Sequence, residues 1–193
     1  TGAEVTSFVA TDNLAVAKVQ GAVAATLVAN GDTIIYVTGN QAQTTGQERR
    51  DGFLSAFGSA RPDSKVLIVP TQWNSEEAQS GVEAVLNANS DVKMIANAWD
   101  GGTMGAMAAL LNLGYKAGQI KLVGFDGAGD AIEAMEAGWV HVDTAQMLYQ
   151  MGYQGVKAAV AAVQGKAVKS RIDTGFFLVT PETVQAYKDM IGM

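Results

Sequence analysis

The sequence contains no cysteine and a single histidine, His141, among its 193 residues. The absence of cysteine excludes disulfides, thiolate metal sites and cysteine nucleophiles. One histidine argues against histidine-based catalytic triads and multi-histidine metal sites. We therefore expect no metal, no cofactor and no enzymatic activity, and we interpret His141, which falls in a predicted strand, as a structural residue.

Basic residues and long apolar runs are also scarce. There are 13 Lys and Arg against 19 Asp and Glu, which gives a net charge of −6. A nucleic-acid surface would show clustered Lys and Arg, so no nucleic-acid partner is expected. No apolar run approaches the roughly 18 residues that a membrane-spanning helix requires. Apolar residues nevertheless make up 48% of the chain, which is enough for a folded core and too much for a disordered protein.

Short β-branched runs alternate with longer helical patterns along the whole chain. The predicted strands are Val5–Ala10, Thr33–Thr38, Lys65–Val69, Val92–Ala96, Ile120–Gly124, Trp139–Thr144 and Thr174–Val179. The predicted helices are Asn13–Ala29, Gln47–Ser59, Ser75–Asn89, Gly102–Leu113, Ala128–Ala137, Gln146–Gln164 and Pro181–Ile191. Strands separated by helices in this way form βαβ units. The sequence therefore predicts a doubly wound α/β fold, with a mostly parallel sheet and helices on both of its faces.

Polar and aromatic residues follow six consecutive predicted strands. In open parallel sheets, ligands bind beyond the carboxyl ends of the strands, so these residues are the candidates for a site. They are Asp12, Asn13, Arg49, Trp73, Trp99, Asp100, Asp126 and Gln146. Carboxylates and amides bond to hydroxyl groups, Arg forks across two oxygens, and indole faces stack on the apolar faces of sugar rings. The set is typical of a sugar or polyol site.

Several of these residues also have simpler interpretations. Asp12, Asp100 and Asp126 each precede a predicted helix and could be N-caps. Trp73 and Trp99 could be core or rim aromatics. The three carboxylates could in principle supply the acid–base pair of a sugar hydrolase or isomerase, but no metal cluster accompanies them. Their joint occurrence at one end of the sheet favours a binding site.

The sequence resembles a known family, the sugar-binding periplasmic proteins of the ribose-binding type. The resemblance rests on Ala10-Thr11-Asp12-Asn13, Gln47-Glu48-Arg49-Arg50-Asp51-Gly52-Phe53, Leu122-Val123-Gly124-Phe125-Asp126-Gly127, Trp99-Asp100, Ala145-Gln146 and the closing Thr174–Thr180 segment. It implies the substrate-binding component of an ABC importer, located in the periplasm and docking on a membrane permease. The alternative is the effector-binding domain of a lactose-repressor-type regulator.

The resemblance also implies a set of ligand contacts. By position, they fall on Arg49, Trp73, Trp99, Asp126 and Gln146, with Asn13 close to the hinge; Asp12 and Asp100 are secondary candidates from the strand ends. Ribose binders place an Asn where this chain has Trp99. This difference puts ribose itself in doubt and leaves another pentose, a hexose or a polyol open.

The family has two similar α/β lobes, and the resemblance implies that this chain covers mainly the second one. Residues 1–145 would form the second lobe, 146–171 would cross to the first lobe, and 172–193 would return. The first lobe, expected before Thr1, would then be a partner, with a separate fragment as one possibility. Within the helix Gln146–Gln164 the only charge is Lys157, so this helix is predicted to pack against a partner. The alternative is a central helix buried inside this domain.

Overall fold

The structure is a computed structural model that describes residues 4–193, so residues 1–3 of the predicted segment 1–145 lie outside the described residues. The strands are β1 (Phe8–Ala10), β2 (Thr33–Thr38), β3 (Lys65–Pro70), β4 (Val92–Asn97), β5 (Lys121–Asp126), β6 (Val140–Gln146), β7 (Arg171–Asp173) and β8 (Phe176–Val179). The helices are α1 (Asn13–Thr26), α2 (Thr44–Ala60), α3 (Ser75–Ala88), α4 (Asp100–Asn112), α5 (Gly129–Glu136), α6 (Leu148–Val163) and α7 (Val184–Ile191).

The main sheet has six strands in the order β3-β2-β4-β5-β6-β8. All neighbours are parallel except β6 and β8, which pair antiparallel. Ile35 and Val37 of β2 face a core shared with α3, α4, α5 and α7, whereas Ile34 and Tyr36 face one shared with α1 and α2. Both faces of the sheet are therefore covered, which explains why the β2 sequence is continuously apolar or β-branched. The predicted doubly wound, mostly parallel α/β fold is confirmed.

The predicted first strand does not join this sheet. β1 pairs in parallel with β7, and the two form a separate two-stranded ribbon in which Phe8 is opposite Arg171. The predicted strand Thr174–Val179 is also wrong in extent, because Gly175 has φ 73° and separates β7 from β8. The carboxylate of Asp173 accepts hydrogen bonds from the backbone N–H groups of Gly175 (3.0 Å) and Asp12 (3.2 Å), which fixes this turn.

Helix α6 is the most exposed of the long helices. Of its 16 residues only Ala158 is buried, and it lies against β1. The exposed apolar side chains are Leu148, Tyr149, Tyr153, Val156, Val160 and Val163. The alternative of a central helix buried inside this domain is therefore wrong. Among residues 4–193, no helix combines the length and apolar character needed to cross a membrane.

Candidate functional site

A cavity of about 300 Å³ lies beyond the carboxyl ends of the central strands. It is lined by Gln43, Thr45, Arg49, Trp73, Trp99, Asp126 and Gln146. Five of these residues were predicted from the sequence, and parallel pairing explains why they meet: residues at or beyond the carboxyl ends of β2, β3, β4, β5 and β6 share one edge of the sheet. The structure places them together, while their contact with a ligand stays a prediction.

Arg49 is the most buried charged residue of the cavity wall. It is 5% exposed and lies in the second turn of α2. Its Nη1 donates to the carbonyl of Ala98 (2.7 Å) and to Asp126 Oδ1 (2.9 Å). Its Nε donates to Asn13 Oδ1 (2.9 Å), and its guanidinium lies 3.9 Å from the centre of the Phe125 ring. Asn13 itself does not line the cavity; it orients Arg49 from the first residue of α1.

Asp126 is the last residue of β5 and forms an ion pair with Arg49. Its Oδ1 also accepts a hydrogen bond from Gln146 Nε2 at 2.7 Å. Burial raises the pKa of this carboxyl, and the Arg49 charge and the bond from Gln146 oppose that rise. The pair of opposite charges leaves the cavity with no net formal charge.

Two indoles form the apolar wall. The rings of Trp73 and Trp99 meet edge to face, with centroids 5.3 Å apart and an angle of 88°. Trp73 has φ 63°, which is rare for a residue with a side chain, and its Nε1 donates to Gln43 Oε1 at 2.7 Å. The indole N–H is therefore satisfied within the protein, which leaves the ring face as the part of Trp73 that can contact a ligand.

Glycines make room for both indoles. A methyl group at Gly39 would clash with the ring of Trp73. A methyl group at Gly102 would lie 2.7 Å from Trp99 Cζ3, and one at Gly101 would lie 2.6 Å from Trp99 Nε1. The rings thus occupy the space that side chains would otherwise fill, so their positions are set by packing.

The two secondary candidates lie outside the cavity. Asp12 is the N-cap of α1 and accepts a hydrogen bond from the N–H of Ala15 at 3.1 Å, as its simpler interpretation predicts. Asp100 is 2% exposed and is the first residue of α4, whose N-cap is Trp99, so the N-cap interpretation is wrong for Asp100. It is also wrong for Asp126, since the N-cap of α5 is Ala128.

Sequence reasoning missed Gln43 and Thr45. Both belong to the polar stretch between β2 and the first turn of α2. Their position after the carboxyl end of a central strand was the one indication that they could line a site. Polar residues are common in loops, however, so polarity alone does not separate site residues from other loop residues.

Two larger cavities lie elsewhere. One of about 410 Å³ is lined by residues 6, 7 and 9 and by small residues of α6, and an apolar one of about 590 Å³ lies between α5, α6 and α7. Neither is lined by a charged side chain. Among residues 4–193, no group of three or more His, Cys, Asp or Glu side chains is placed to hold a metal ion.

Comparison with known proteins agrees with this arrangement. Residues 1–167 match the family model described as a periplasmic binding protein domain. The D-allose-binding periplasmic protein of Escherichia coli is 34% identical over 169 residues, which is 86% of this chain and 54% of that protein. The ribose import binding protein RbsB of E. coli is 27% identical over 94% of this chain and 60% of its own length.

The solved structures give the same result. An ABC transporter solute binding protein from Bacillus halodurans with bound myo-inositol has a TM-score of 0.88 and 26% identity, over 96% of this chain and 64% of its own. The chain thus spans between half and two thirds of the length of these relatives. By the match of residues 1–167, the chain belongs to the periplasmic binding protein domain family.

Proposed function

We propose that this chain binds a neutral monosaccharide or polyol as the second lobe of the substrate-binding component of an ABC importer. The observation that carries the proposal is the composition of the 300 Å³ cavity, in which two perpendicular indoles stand beside a charge-compensated Arg–Asp pair. Each part of this wall matches one part of a sugar: ring faces match apolar C–H surfaces, and the polar groups match hydroxyls.

The polar groups of the cavity favour an uncharged ligand. Arg49 and Asp126 neutralise each other, so a ligand with a full charge would enter a site that offers no net compensating charge. Hydroxyl groups suit this pair, because a hydroxyl can donate to a carboxylate and accept from a guanidinium at the same time. Gln146 and Thr45 add further groups of both kinds.

The arrangement also favours binding over catalysis. Asp126 is the single carboxyl that lines the cavity among the described residues, and it is engaged by Arg49 and Gln146. Glycoside hydrolysis uses two carboxyl groups that face the scissile bond. Binding without chemical change is the function that this geometry supports.

The relatives favour the importer over the regulator that the sequence left open. They are named as periplasmic or import binding proteins, and the similar structures include solute-binding proteins with bound myo-inositol and D-fucose. By extension, we place the protein in the periplasm, with an ABC permease as partner.

The division into segments is part of the proposal. Residues 1–145 and 172–193 would build this lobe, and 146–171 would cross to the first lobe, whose surface would cover α6. The exposure of the apolar side chains of α6 supports this division. The return of the chain as β8 beside β6 supports it as well.

Saturation-transfer NMR with a panel of neutral pentoses, hexoses and inositols tests the proposal, since it detects the weak binding expected of one lobe. We expect saturable transfer from the protein to at least one compound, and loss of that signal in Arg49→Ala. Losing a charged hydrogen bond should weaken binding by about 1.5–3 kcal/mol. Arg50→Ala is the matched control, because Arg50 pairs with Asp51 instead of lining the cavity. A panel without any transfer, or equal signals in both variants, would contradict the proposal.

A further inference from the structure

Two carboxyl groups lie buried directly beneath the turn that carries Asp126. Asp100 is 2% exposed and Asp143, in the middle of β6, is fully buried. They approach each other across Gly124: a methyl group there would clash with Asp143 Oδ2 and would lie 2.6 Å from Asp100 Oδ1. The absence of a side chain at Gly124 thus allows the two carboxyl groups to approach each other.

The two carboxyl groups accept hydrogen bonds from backbone N–H groups on both sides of Asp126. Asp100 Oδ1 accepts from the N–H of Phe125 (3.1 Å), and Asp100 Oδ2 accepts from the N–H of Ala128 (2.7 Å). Asp143 Oδ1 accepts from the N–H of Gly127 at 3.0 Å. Three of the four backbone N–H groups of residues 125–128 therefore bond to these two carboxyls.

The turn needs this support because its conformation is strained. Asp126 has φ 122°, a value that favours glycine, and Gly127 has φ 76°. A residue with a side chain in such a region costs on the order of 1–3 kcal/mol and persists only where the surroundings hold it. The hydrogen bonds to Asp100 and Asp143 lie on both sides of the strained residue and stabilise its backbone conformation.

One oxygen of the pair lacks a partner. Asp143 Oδ2 is buried and accepts no hydrogen bond from the described residues. A buried, ionised carboxylate oxygen without a hydrogen-bond donor raises the free energy of the folded state, and a second ionised carboxylate next to it adds electrostatic repulsion. A proton between Asp143 Oδ2 and Asp100 Oδ1 removes both costs with one bond.

We infer that Asp100 and Asp143 are a positioning pair that holds one proton between them and thereby fixes the strained turn that presents Asp126 to the cavity. The inference deepens the proposed function, since Asp126 is its candidate ligand contact, but the geometry of the turn does not depend on which ligand binds. Burial raises the pKa of both groups, well above the ordinary value for Asp100 and to about 6 for Asp143.

The other charged or titratable groups around the pair are few. Asp126 at the end of β5 adds negative charge and favours the proton, and Arg49 on α2 opposes it. Tyr187 on α7 donates its hydroxyl to the carbonyl of Gly127, and burial raises its pKa to about 12, so it stays neutral. Arg49 stays charged and Tyr187 stays neutral near neutral pH, so Asp126, whose own pKa is raised by burial, is the neighbour whose charge can change together with the pair.

Carbon-13 NMR of the aspartate carboxyl groups, recorded on the unmodified chain without ligand, tests the inference. We expect the Asp143 carboxyl to titrate near pH 6 instead of near its ordinary value of about 4. The amide signals of Gly127 and Ala128 should shift with the same midpoint, because their acceptors are the titrating groups. If both carboxyls titrate near pH 4, or if these amides do not follow, the inference is wrong. Neither result depends on sugar binding, so the proposed function can fail separately.

A variant adds a stability readout. A carboxyl whose pKa is raised by folding stabilises the native state below its unfolded pKa, and this stabilisation is lost as the pH rises through the folded pKa. The unfolding constant of the wild type should therefore increase up to about tenfold per pH unit between about pH 4 and pH 6, relative to Asp143→Asn. Asn keeps the acceptor for Gly127 and supplies a permanent N–H for Asp100. If the unfolding constants of the wild type and Asp143→Asn change in parallel over this interval, the inference is overturned.

Discussion

The sheet region, made of β2–β6 and β8 with α1–α5 and α7, differs sharply from the ribbon region, made of β1, β7 and α6. Every residue of β2 is buried, whereas α6 buries one of its 16 residues. Both segments contain few charged residues, and by sequence alone both would be expected to be buried. Val163 of α6 is nevertheless 89% exposed, while Val37 of β2 is fully buried.

This contrast shows that an apolar segment marks a surface to be covered without stating what covers it. In β2 the cover is the rest of this chain, namely helices on both faces of the sheet. In α6 several aromatic and β-branched side chains are exposed on one helix, a concentration that is typical of an interaction site. The candidate site lies in the sheet region, where positions are fixed by packing.

The largest expected effect separates the two regions by removing one aromatic ring from each. Phe53 is fully buried and stacks between Tyr36 (4.4 Å between centroids) and Phe57 (5.5 Å). Phe53→Ala should reduce the free energy of unfolding by about 3–5 kcal/mol, measured by urea denaturation. Tyr153→Ala on α6 should change it by less than about 0.5 kcal/mol. Similar losses in both variants would remove the distinction between the regions.

A smaller effect is expected at the glycine beneath Trp73. Gly39→Ala places a methyl group into the indole, so we expect a loss of about 1–3 kcal/mol in unfolding free energy and a shift in tryptophan emission. Gly58→Ala is the matched control, since Gly58 is exposed on helix α2 and a methyl group there meets no atom within 4 Å. That variant should gain about 0.5–1 kcal/mol with unchanged emission. An unshifted emission in Gly39→Ala would mean that Gly39 does not fix the indole.

The smallest effect on stability is expected on α6. Val156 is 67% exposed, so Val156→Lys should leave the unfolding free energy within about 0.5 kcal/mol of the wild type. We expect the exposed apolar side chains of α6 to make this chain self-associate at high concentration, and Val156→Lys, which interrupts them, should reduce that association in dynamic light scattering. Ser55→Lys adds the same charge on the exposed part of α2 and should not have that effect. If both variants reduced self-association equally, the change in net charge would be the cause, and the apolar side chains of α6 would not.

Local pattern and the rule for parallel sheets were enough to predict the sheet region and most of the cavity wall. Arg49, Trp73, Trp99, Asp126 and Gln146 converge because each lies at or beyond the carboxyl end of a parallel strand, and strand direction is encoded in the alternation itself. The ribbon was not predictable in this way. Three residues of β1 pair with three residues near the other end of the chain, and no local signal reports such a partner.

Side-chain roles were harder to predict than positions. Asp143 lies within a strand and appears in the sequence as an ordinary interior polar residue, although it bonds to the N–H of Gly127. Asn13 was expected near the hinge, and the structure adds a bond to Arg49. Such contacts depend on backbone atoms from distant elements, which a pattern of residue types does not specify.

The pairing of β1 with β7 has a consequence for the order of folding. The bond between Asp12 and Asp173 joins residues 161 positions apart, and the ribbon itself contains three residue pairs. Closing so long a loop first would cost much chain entropy for little gain, whereas the folded sheet brings both ends together beforehand. The ribbon should therefore form last, and its amide protons should exchange through local openings long before the sheet unfolds.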